Sequence, residues 1–97
     1  GIRVNAVCPG WVRTPMADGE MAALREVRPE LGSLEAAYAK ATENVPLGRP
    51  AEPEEIASIV RFLGSGESAV MTGNTILADG GAHIVDLPTI AFDHPGA

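Results

Sequence analysis

The sequence predicts an α/β fold in which helices connect two parallel strands. Three features indicate it: an apolar, β-branched run opens the chain, helix-forming residues dominate positions 17–44, and a stripe with helical spacing precedes a second short apolar run. A helical connection makes the two strands parallel, with a right-handed crossover. Parallel sheets need further strands and cover on both faces. We therefore expect the chain to be part of a larger α/β domain.

The first strand is predicted in the run from Ile2 to Val7, where β-branched and apolar residues alternate with polar ones. Pro9 lacks a backbone donor and Gly10 permits unusual dihedral angles, so the strand ends there. Asn5 is expected to tie the strand to a neighbouring loop. Cys8 is interpreted as a small buried residue at the strand end rather than as a nucleophile.

Two short helices are predicted in the next segment, over about 19–27 and 34–43, where Ala, Glu, Met, Leu and Arg are frequent. Pro29 and Gly32 separate them, and Ser33 is the expected N-cap of the second. Apolar residues at Met16, Met21, Leu24 and Val27 can line one side of the first helix. That side serves either a surface for apolar ligands or ordinary packing.

A third helix is predicted to begin at Pro53 after the turn "VPLGRPAEP". Glu54 and Glu55 lie in its first turn, where the positive end of the helix dipole favours negative charge. A stripe with i, i+3, i+4, i+7 spacing is expected to be buried, and it consists of Ile56, Ile59, Val60 and Leu63. Gly64 and Gly66 are expected to end the helix.

The second strand is predicted at Thr75–Ala78, followed by a turn at Asp79-Gly80-Gly81. Residues 82–97 contain two prolines and mixed polarity. We expect this tail to be extended or irregular and to pack on a surface or on a partner.

Composition narrows the classes of function. The chain has 97 residues and a net charge of -6, which disfavours nucleic acid or an anionic membrane as the main partner. No apolar run approaches the roughly 18 residues of a membrane span, and no signal peptide is expected. The single cysteine, Cys8, fits a cytoplasmic location. His83 and His94 are isolated, so no metal site is predicted. Because the chain begins at Gly1, we interpret it as truncated.

Three blocks in order, "NAVCPGWVRTPM", "PLGRPAEPEEIASIVRFL" and "MTGNTILADGG", resemble the C-terminal portion of a short-chain dehydrogenase/reductase. The resemblance implies that residues 1–81 belong to one doubly wound, Rossmann-like domain with a parallel sheet. Residues 16–44 would form its substrate lid, and residues 82–97 would be a C-terminal tail.

The resemblance also implies a function. Such enzymes transfer a hydride between NAD or NADP and an alcohol or carbonyl substrate, with the cofactor at the carboxyl ends of the strands. Pro9 and Gly10 would shape the backbone against the nicotinamide ring. The main chain at Val12 would bind the carboxamide, and the Thr14 hydroxyl would bind the carboxamide or a phosphate. A helix N-cap is the alternative role for Thr14. Trp11 either covers the pocket or packs on the surface.

The lid implied by the resemblance would close over the nicotinamide and exclude water. Its candidate lining residues are Met16, Met21, Leu24 and Tyr38. Its length favours polyols, diols or hydroxy acids over carrier-protein substrates. Members of this family are usually tetramers, so a homo-oligomer is expected.

The catalytic Tyr-x-x-x-Lys pair of the family is not found in this chain. Tyr38 and Lys40 stand two residues apart and would point to different sides of a helix. "GSGES" follows a helix rather than a strand, so it is not predicted to cradle a phosphate. We expect the chain to contain no catalytic residue and to be inactive alone. A non-catalytic binding or oligomerisation module of the same fold is the alternative.

Overall fold

A computed structural model describes residues 1–92 and has the predicted order of strand, two helices, helix and strand. The main elements are β1 (Ala6–Pro9), α1 (Pro15–Val27), α2 (Leu34–Ala41), α3 (Pro53–Leu63) and β2 (Thr75–Ala78). The two strands are parallel, as predicted, with Ala6 opposite Thr75 and Pro9 opposite Ala78. Short 3-10 turns follow α3 and β2, at Gly66–Ser68, Ala82–Ile84 and Leu87–Phe92.

Strand β1 begins at Ala6, four residues later than the prediction from Ile2, because its partner β2 begins only at Thr75. Side-chain contacts hold the preceding residues instead. The Asn5 amide donates to the carbonyl of Met71 at 3.0 Å, and its oxygen accepts from the backbone N–H of Asn74 at 3.1 Å. The predicted structural role of Asn5 is therefore confirmed.

Helix α1 begins at Pro15 rather than at residue 19. Thr14 has an extended backbone, and its hydroxyl accepts a hydrogen bond from the N–H of Ala17 at 3.1 Å. Pro15 follows at the first helical position, where its missing N–H costs nothing. The N-cap role for Thr14 is thus confirmed, and it adds a full turn to the predicted helix.

Helix α2 begins at Leu34 because Ser33 caps it as predicted, accepting from the N–H of Ala36 at 3.0 Å. The helix ends at Ala41, two residues before the predicted end. Thr42 closes it: the Thr42 N–H and hydroxyl both donate to the carbonyl of Tyr38.

The hydrophobic core lies between the first two helices. Four buried residues form it, Ala17, Met21, Ala37 and Tyr38, and Leu24, Leu34 and Ala41 pack at its edge. Helices α1 and α2, the two helices of the predicted lid, therefore supply the buried apolar cluster of the described chain.

Helix α3 has the predicted start and end, and a capping box between Glu52 and Glu55 begins it. The prediction of a buried stripe was wrong: the helix has no buried residue, and Val60 is 54% exposed. Two strands make too narrow a sheet to cover a stripe about 100° wide. Gly64 ends the helix with its N–H bound to the Val60 carbonyl at 3.0 Å.

The prediction of a buried Cys8 also fails. Cys8 is exposed, because side chains point to the faces of a sheet and the two-stranded sheet leaves this face uncovered. Within residues 82–92 the tail is irregular, with short 3-10 turns, and its apolar side chains at Ile84, Leu87 and Phe92 are exposed. Packing of the tail on a partner stays a prediction. Residues 93–97, with His94, lie outside the described residues.

Arg3 makes a contact that the sequence did not indicate. Its guanidinium donates to the carbonyls of Leu63, Ser65, Ser68 and Met71 at 2.9–3.3 Å. Leu63 is the last residue of α3, so its carbonyl has no acceptor role within the helix, and the other three carbonyls belong to the segment after it. This clamp joins the start of the chain to the end of α3.

Candidate functional site

The carboxyl ends of the two strands lie side by side, and the loops that follow them meet there. The N–H of Gly10 donates to the carbonyl of Ala78 at 3.4 Å. A Cβ at Gly10 would lie 3.1 Å from the Cβ of Asp79 and 3.2 Å from its Cα. Gly10 therefore permits the close approach of the two loops. Ligands bind at this edge in open α/β sheets.

Val12 presents an unpaired donor and acceptor at this edge. It forms an isolated parallel bridge with Ala51, in which Ala51 donates to the carbonyl of Trp11 at 2.8 Å and accepts from the N–H of Arg13 at 2.9 Å. The amide and carbonyl of Val12 itself therefore face away from Ala51. Within residues 1–92 neither group has a hydrogen-bond partner. One donor beside one acceptor matches a primary carboxamide.

Thr14 stands two residues further on and is half-buried. Its oxygen accepts from the Ala17 N–H, and its own O–H has no acceptor in the described part of the chain. A hydroxyl both accepts and donates. The cap and a contact to a ligand are therefore compatible at Thr14.

Pro9 is the last residue of β1 and is exposed. It lies opposite Ala78 in β2, and proline is tolerated there because the missing N–H would point away from β2. Its backbone leads directly into the Gly10 turn, so Pro9 and Gly10 fix the direction in which residues 11–14 leave the sheet.

Arg13 reaches from this loop to the lid. Its guanidinium donates to both carboxylate oxygens of Glu35 on α2, at 2.9 Å for the first, and its Nε lies 3.5 Å from Glu52 at the start of α3. It also lies over the ring of Tyr38, 4.4 Å from the centroid. The hydrogen bonds to Glu35 raise the pKa of Arg13. Arg13 and Glu35 are 22 positions apart, so no local spacing indicates their contact.

The four candidate lid residues have different surroundings. Met16 is 79% exposed and Leu24 is half-buried, whereas Met21 and Tyr38 are 2% and 1% exposed. Ordinary packing is therefore the role of Met21 and Tyr38 in this conformation. Met16 has the most accessible side chain of the four.

Tyr38 has the opposite chemistry to a catalytic tyrosine. Its hydroxyl donates to Asp18 at 2.6 Å, and burial together with that hydrogen bond raises its pKa to about 12. A general acid/base needs a pKa near the working pH. That Tyr38 and Lys40 are not a catalytic pair stays a prediction.

A cavity of about 230 Å³ lies beside the loop junction. It is lined mainly by apolar groups, among them Trp11, Ile56 and Ile59, with Asp79 and the Arg49–Glu55 ion pair. Trp11 thus covers part of a pocket while remaining 37% exposed. Val12 and Thr14 do not line this cavity, so it is separate from the unpaired groups of the loop.

Asp79 is a turn residue, as predicted, and it has a further partner. Its carboxylate accepts from the N–H groups of Gly81 and His83 at 3.0 and 3.1 Å. The His83 ring nitrogen Nδ1 lies 2.9 Å from it, and His83 lowers the pKa of Asp79. The four-residue spacing of the two was the available signal in the sequence.

Among residues 1–92, no three side chains of His, Cys, Asp or Glu are grouped closely enough to hold a metal ion. None of the helices described here has both the length and the apolar character needed to cross a membrane.

The amino-acid sequence of this chain is similar to a protein family and to several curated proteins. The family described as Enoyl-(Acyl carrier protein) reductase matches residues 1–83. Protein MoaE of Klebsiella aerogenes is 55% identical over 92 residues, which cover 95% of this chain and 35% of that protein. Meso-2,3-butanediol dehydrogenase of Serratia marcescens is 37% identical over 86 residues, which cover 89% and 29%.

The fold of this chain is also similar to solved structures of short-chain dehydrogenases and reductases. A short chain dehydrogenase family protein from Francisella tularensis matches with a TM-score of 0.78 and 38% identity, over 87% of this chain and 34% of that one. Actinorhodin polyketide ketoreductase with NADPH matches with a TM-score of 0.64 and 41% identity, over 84% and 30%.

The chain spans between 14% and 35% of the length of the curated relatives compared with it, 35% in the case of Protein MoaE. Within the chain, the family match includes β1, both lid helices, α3 and β2. The chain belongs to the short-chain dehydrogenase/reductase family and has part of its Rossmann fold.

Proposed function

We propose that this chain is the nicotinamide-binding loop and substrate lid of an NAD(P)-dependent oxidoreductase, in which hydride passes between the cofactor and an alcohol or carbonyl. The observation that carries the proposal is the unpaired main-chain donor and acceptor of Val12. They lie at the carboxyl end of β1, where open α/β sheets bind ligands. A carboxamide held there would present one face of its ring to the substrate.

The cofactor would be held by groups with distinct tasks. The Val12 N–H and carbonyl would bind the carboxamide, and the O–H of Thr14 would donate to the carboxamide or to a phosphate oxygen. Pro9 and Gly10 would set the path of the backbone. The nicotinamide supplies the hydride chemistry when bound. Either NAD or NADP fits this loop, and the related ketoreductase structure contains NADPH.

The substrate proposed is a small alcohol or carbonyl compound of the polyol, diol or hydroxy-acid class. The thirteen-residue α1 and eight-residue α2 make a sizeable cover for such a site. The butanediol dehydrogenase among the relatives supports this class. Met16, exposed at the start of α1 two residues from Thr14, is the lid residue best placed to meet the substrate.

Self-association is the proposed state of the intact protein, as a homotetramer. Two exposed apolar side chains, Phe62 on α3 and Leu77 on β2, support it. Light scattering of the full-length protein tests it: a Phe62→Ser substitution is expected to lower the measured mass, and a monomeric parent protein would contradict it.

The test of the cofactor loop compares two helix caps. Thr14→Ala and Ser33→Ala each remove a side-chain cap, at a similar cost of about 1 kcal/mol. Only Thr14 belongs to the proposed cofactor loop. Titration of the full-length protein with NADH and NADPH, followed by their fluorescence, should therefore show weaker binding for Thr14→Ala and unchanged binding for Ser33→Ala. Equal binding by both variants would remove Thr14 from the site, and no binding by the parent protein would overturn the proposal.

A further inference from the structure

Arg13 belongs to two parts of the molecule at once. Its backbone lies between Val12 and Thr14, in the loop proposed above to bind the carboxamide, and its N–H is fixed to the carbonyl of Ala51 at 2.9 Å. Its side chain leaves the loop and contacts helix α2. The inference below rests on the proposed function of that loop.

The guanidinium is held from two sides. Glu35, on α2, receives two hydrogen bonds from it, and Glu52, at the N-cap of α3, lies 3.5 Å from its Nε. A guanidinium is a rigid planar fork, so a bidentate contact and a lateral contact together fix its orientation. Helix α3 lies on the sheet side and α2 on the lid side. Arg13 therefore bridges the two.

The contact extends through both lid helices. The guanidinium lies over the ring of Tyr38, 4.4 Å from its centroid, and the Tyr38 hydroxyl donates to Asp18 of α1 at 2.6 Å. An ion pair with an exposed partner contributes little by itself. Here the same cation also stacks on a ring that is buried in the lid core, which gives the contact a fixed geometry.

No other side-chain hydrogen bond within residues 1–92 joins residues 10–14 to α2. Arg28 and Glu30 form an ion pair of similar length, 3.0 Å, just beyond α1, and it stays within the lid segment. The two pairs differ in one respect: the first crosses from the cofactor loop to the lid and the second does not. This difference makes the second pair a matched control.

We infer that Arg13 is a positioning residue that couples occupancy of the cofactor loop to closure of the lid. Dinucleotide bound at Val12 and Thr14 restrains the backbone on either side of Arg13. Its guanidinium then holds Glu35 and Tyr38, and with them α2, in the closed position. When the loop is empty, the same contacts are less restrained, and α2 opens more often.

Hydrogen exchange of the α2 amides tests the coupling, in the full-length protein with and without saturating NADH or NADPH. The quantity to compare is the ratio of exchange rates in the free and bound states for residues 34–41. In the parent protein, dinucleotide is expected to slow this exchange by roughly tenfold. Arg13→Gln should reduce the ratio nearly to one, and Glu35→Gln should reduce it by a smaller factor.

Glu30→Gln, the control, should leave the ratio unchanged. Combining Arg13→Gln with Glu35→Gln should give no further loss, because both act on one contact. The side chain of Glu35 is exposed, so we expect the Glu35→Gln variant to fold. It therefore tests the coupling even if the Arg13→Gln variant has an unfolded lid.

Each outcome decides between the possibilities. If Arg13→Gln speeds exchange equally in the free and bound states, Arg13 is only a structural contact and the inference is overturned. If the parent protein binds dinucleotide without a change in α2 exchange, the coupling is wrong and the proposed function stands. If the parent protein binds neither NADH nor NADPH, the proposed function fails and the inference fails with it.

Discussion

The lid and the sheet layer of this chain are stabilised by different interactions. In the lid, α1 and α2 bury Met21 and Tyr38 almost completely between them. In the sheet layer, α3 buries no side chain, and the edge strand β1 exposes Cys8. The lid therefore has its own small core, whereas the sheet layer relies on polar contacts such as those of Arg3 and Asn5.

This difference follows from what each region packs against. A pair of short helices covers its own apolar side. A parallel sheet needs neighbouring strands and two covering layers. The lid is thus largely complete within this part of the family fold, and the sheet layer is not.

The largest test of the comparison is Tyr38→Ala. It removes a ring from the lid core, the hydrogen-bond donor of Asp18 and the ring under Arg13, so we expect the free energy of unfolding to fall by about 3 kcal/mol. Val60→Ala, on the exposed side of α3, should cost less than about 0.5 kcal/mol. Urea unfolding followed by circular dichroism measures both. Equal losses would mean that the lid core is not the more tightly packed region.

In the sheet layer, the corresponding test is Arg3→Met, which keeps the length of the side chain and removes its donors. Four carbonyls, one at the end of α3 and three in the segment that follows it, lose a charged partner, so we expect the free energy of unfolding to fall by about 2 kcal/mol. Arg61→Met, which removes an exposed guanidinium from the same helix, is the control and should have little effect. Comparable losses for the two arginines would show that the clamp does not stabilise the layer.

Local signals explain which parts of the fold the sequence predicted. Ser33 and Pro53 mark helix starts by their own chemistry, and the structure has both starts as expected. Strand β2 and the turn at Asp79 also depend on adjacent residues. Helix α1 begins four residues before its predicted start, because Thr14 directly before Pro15 caps the helix and adds a turn.

Long-range contacts explain what the sequence did not predict. Arg3 binds carbonyls about 60 residues away, and Arg13 meets Glu35 across 22 positions. No spacing rule relates such residues. The burial predicted for Cys8 and Val60 assumed neighbours that are not among the described residues. At the candidate site, the sequence indicated Val12 through its family resemblance, but only the bridge to Ala51 shows that its amide is unpaired.

Alkaline pH should weaken the lid selectively. The pKa of Tyr38 is about 12 in the folded lid and about 10 when the chain is unfolded. A raised pKa means that the folded lid favours the protonated hydroxyl, so this stabilisation is complete below pH 10 and is lost between pH 10 and 12. Hydrogen exchange is too fast there, and Tyr38 is the only tyrosine of the chain, so urea unfolding followed by circular dichroism is the measurement. The Tyr38→Phe variant should lack this dependence of stability on pH. An unfolding midpoint of the parent protein that stays constant between pH 10 and 12 would contradict the prediction.

Acid pH should lower the stability of the sheet layer, at the start of α3, and this is the smallest of the expected effects. Arg49 donates to both carboxylate oxygens of Glu55 at 2.7 and 2.9 Å, which, with the N–H of Glu52, lowers the pKa of Glu55 to about 2. The unfolded carboxylate titrates near 4.5, so the stabilisation is present above that pH and is lost as the pH falls towards 2. Both side chains are well exposed, and solvent reduces the effect. Comparing acid unfolding of the parent protein with Glu55→Gln isolates it. If the acid midpoint of Glu55→Gln equals that of the parent protein, the start of α3 does not depend on this ion pair. If the midpoint shifts for α3 alone while the lid stays folded, acid and alkali destabilise the two regions separately.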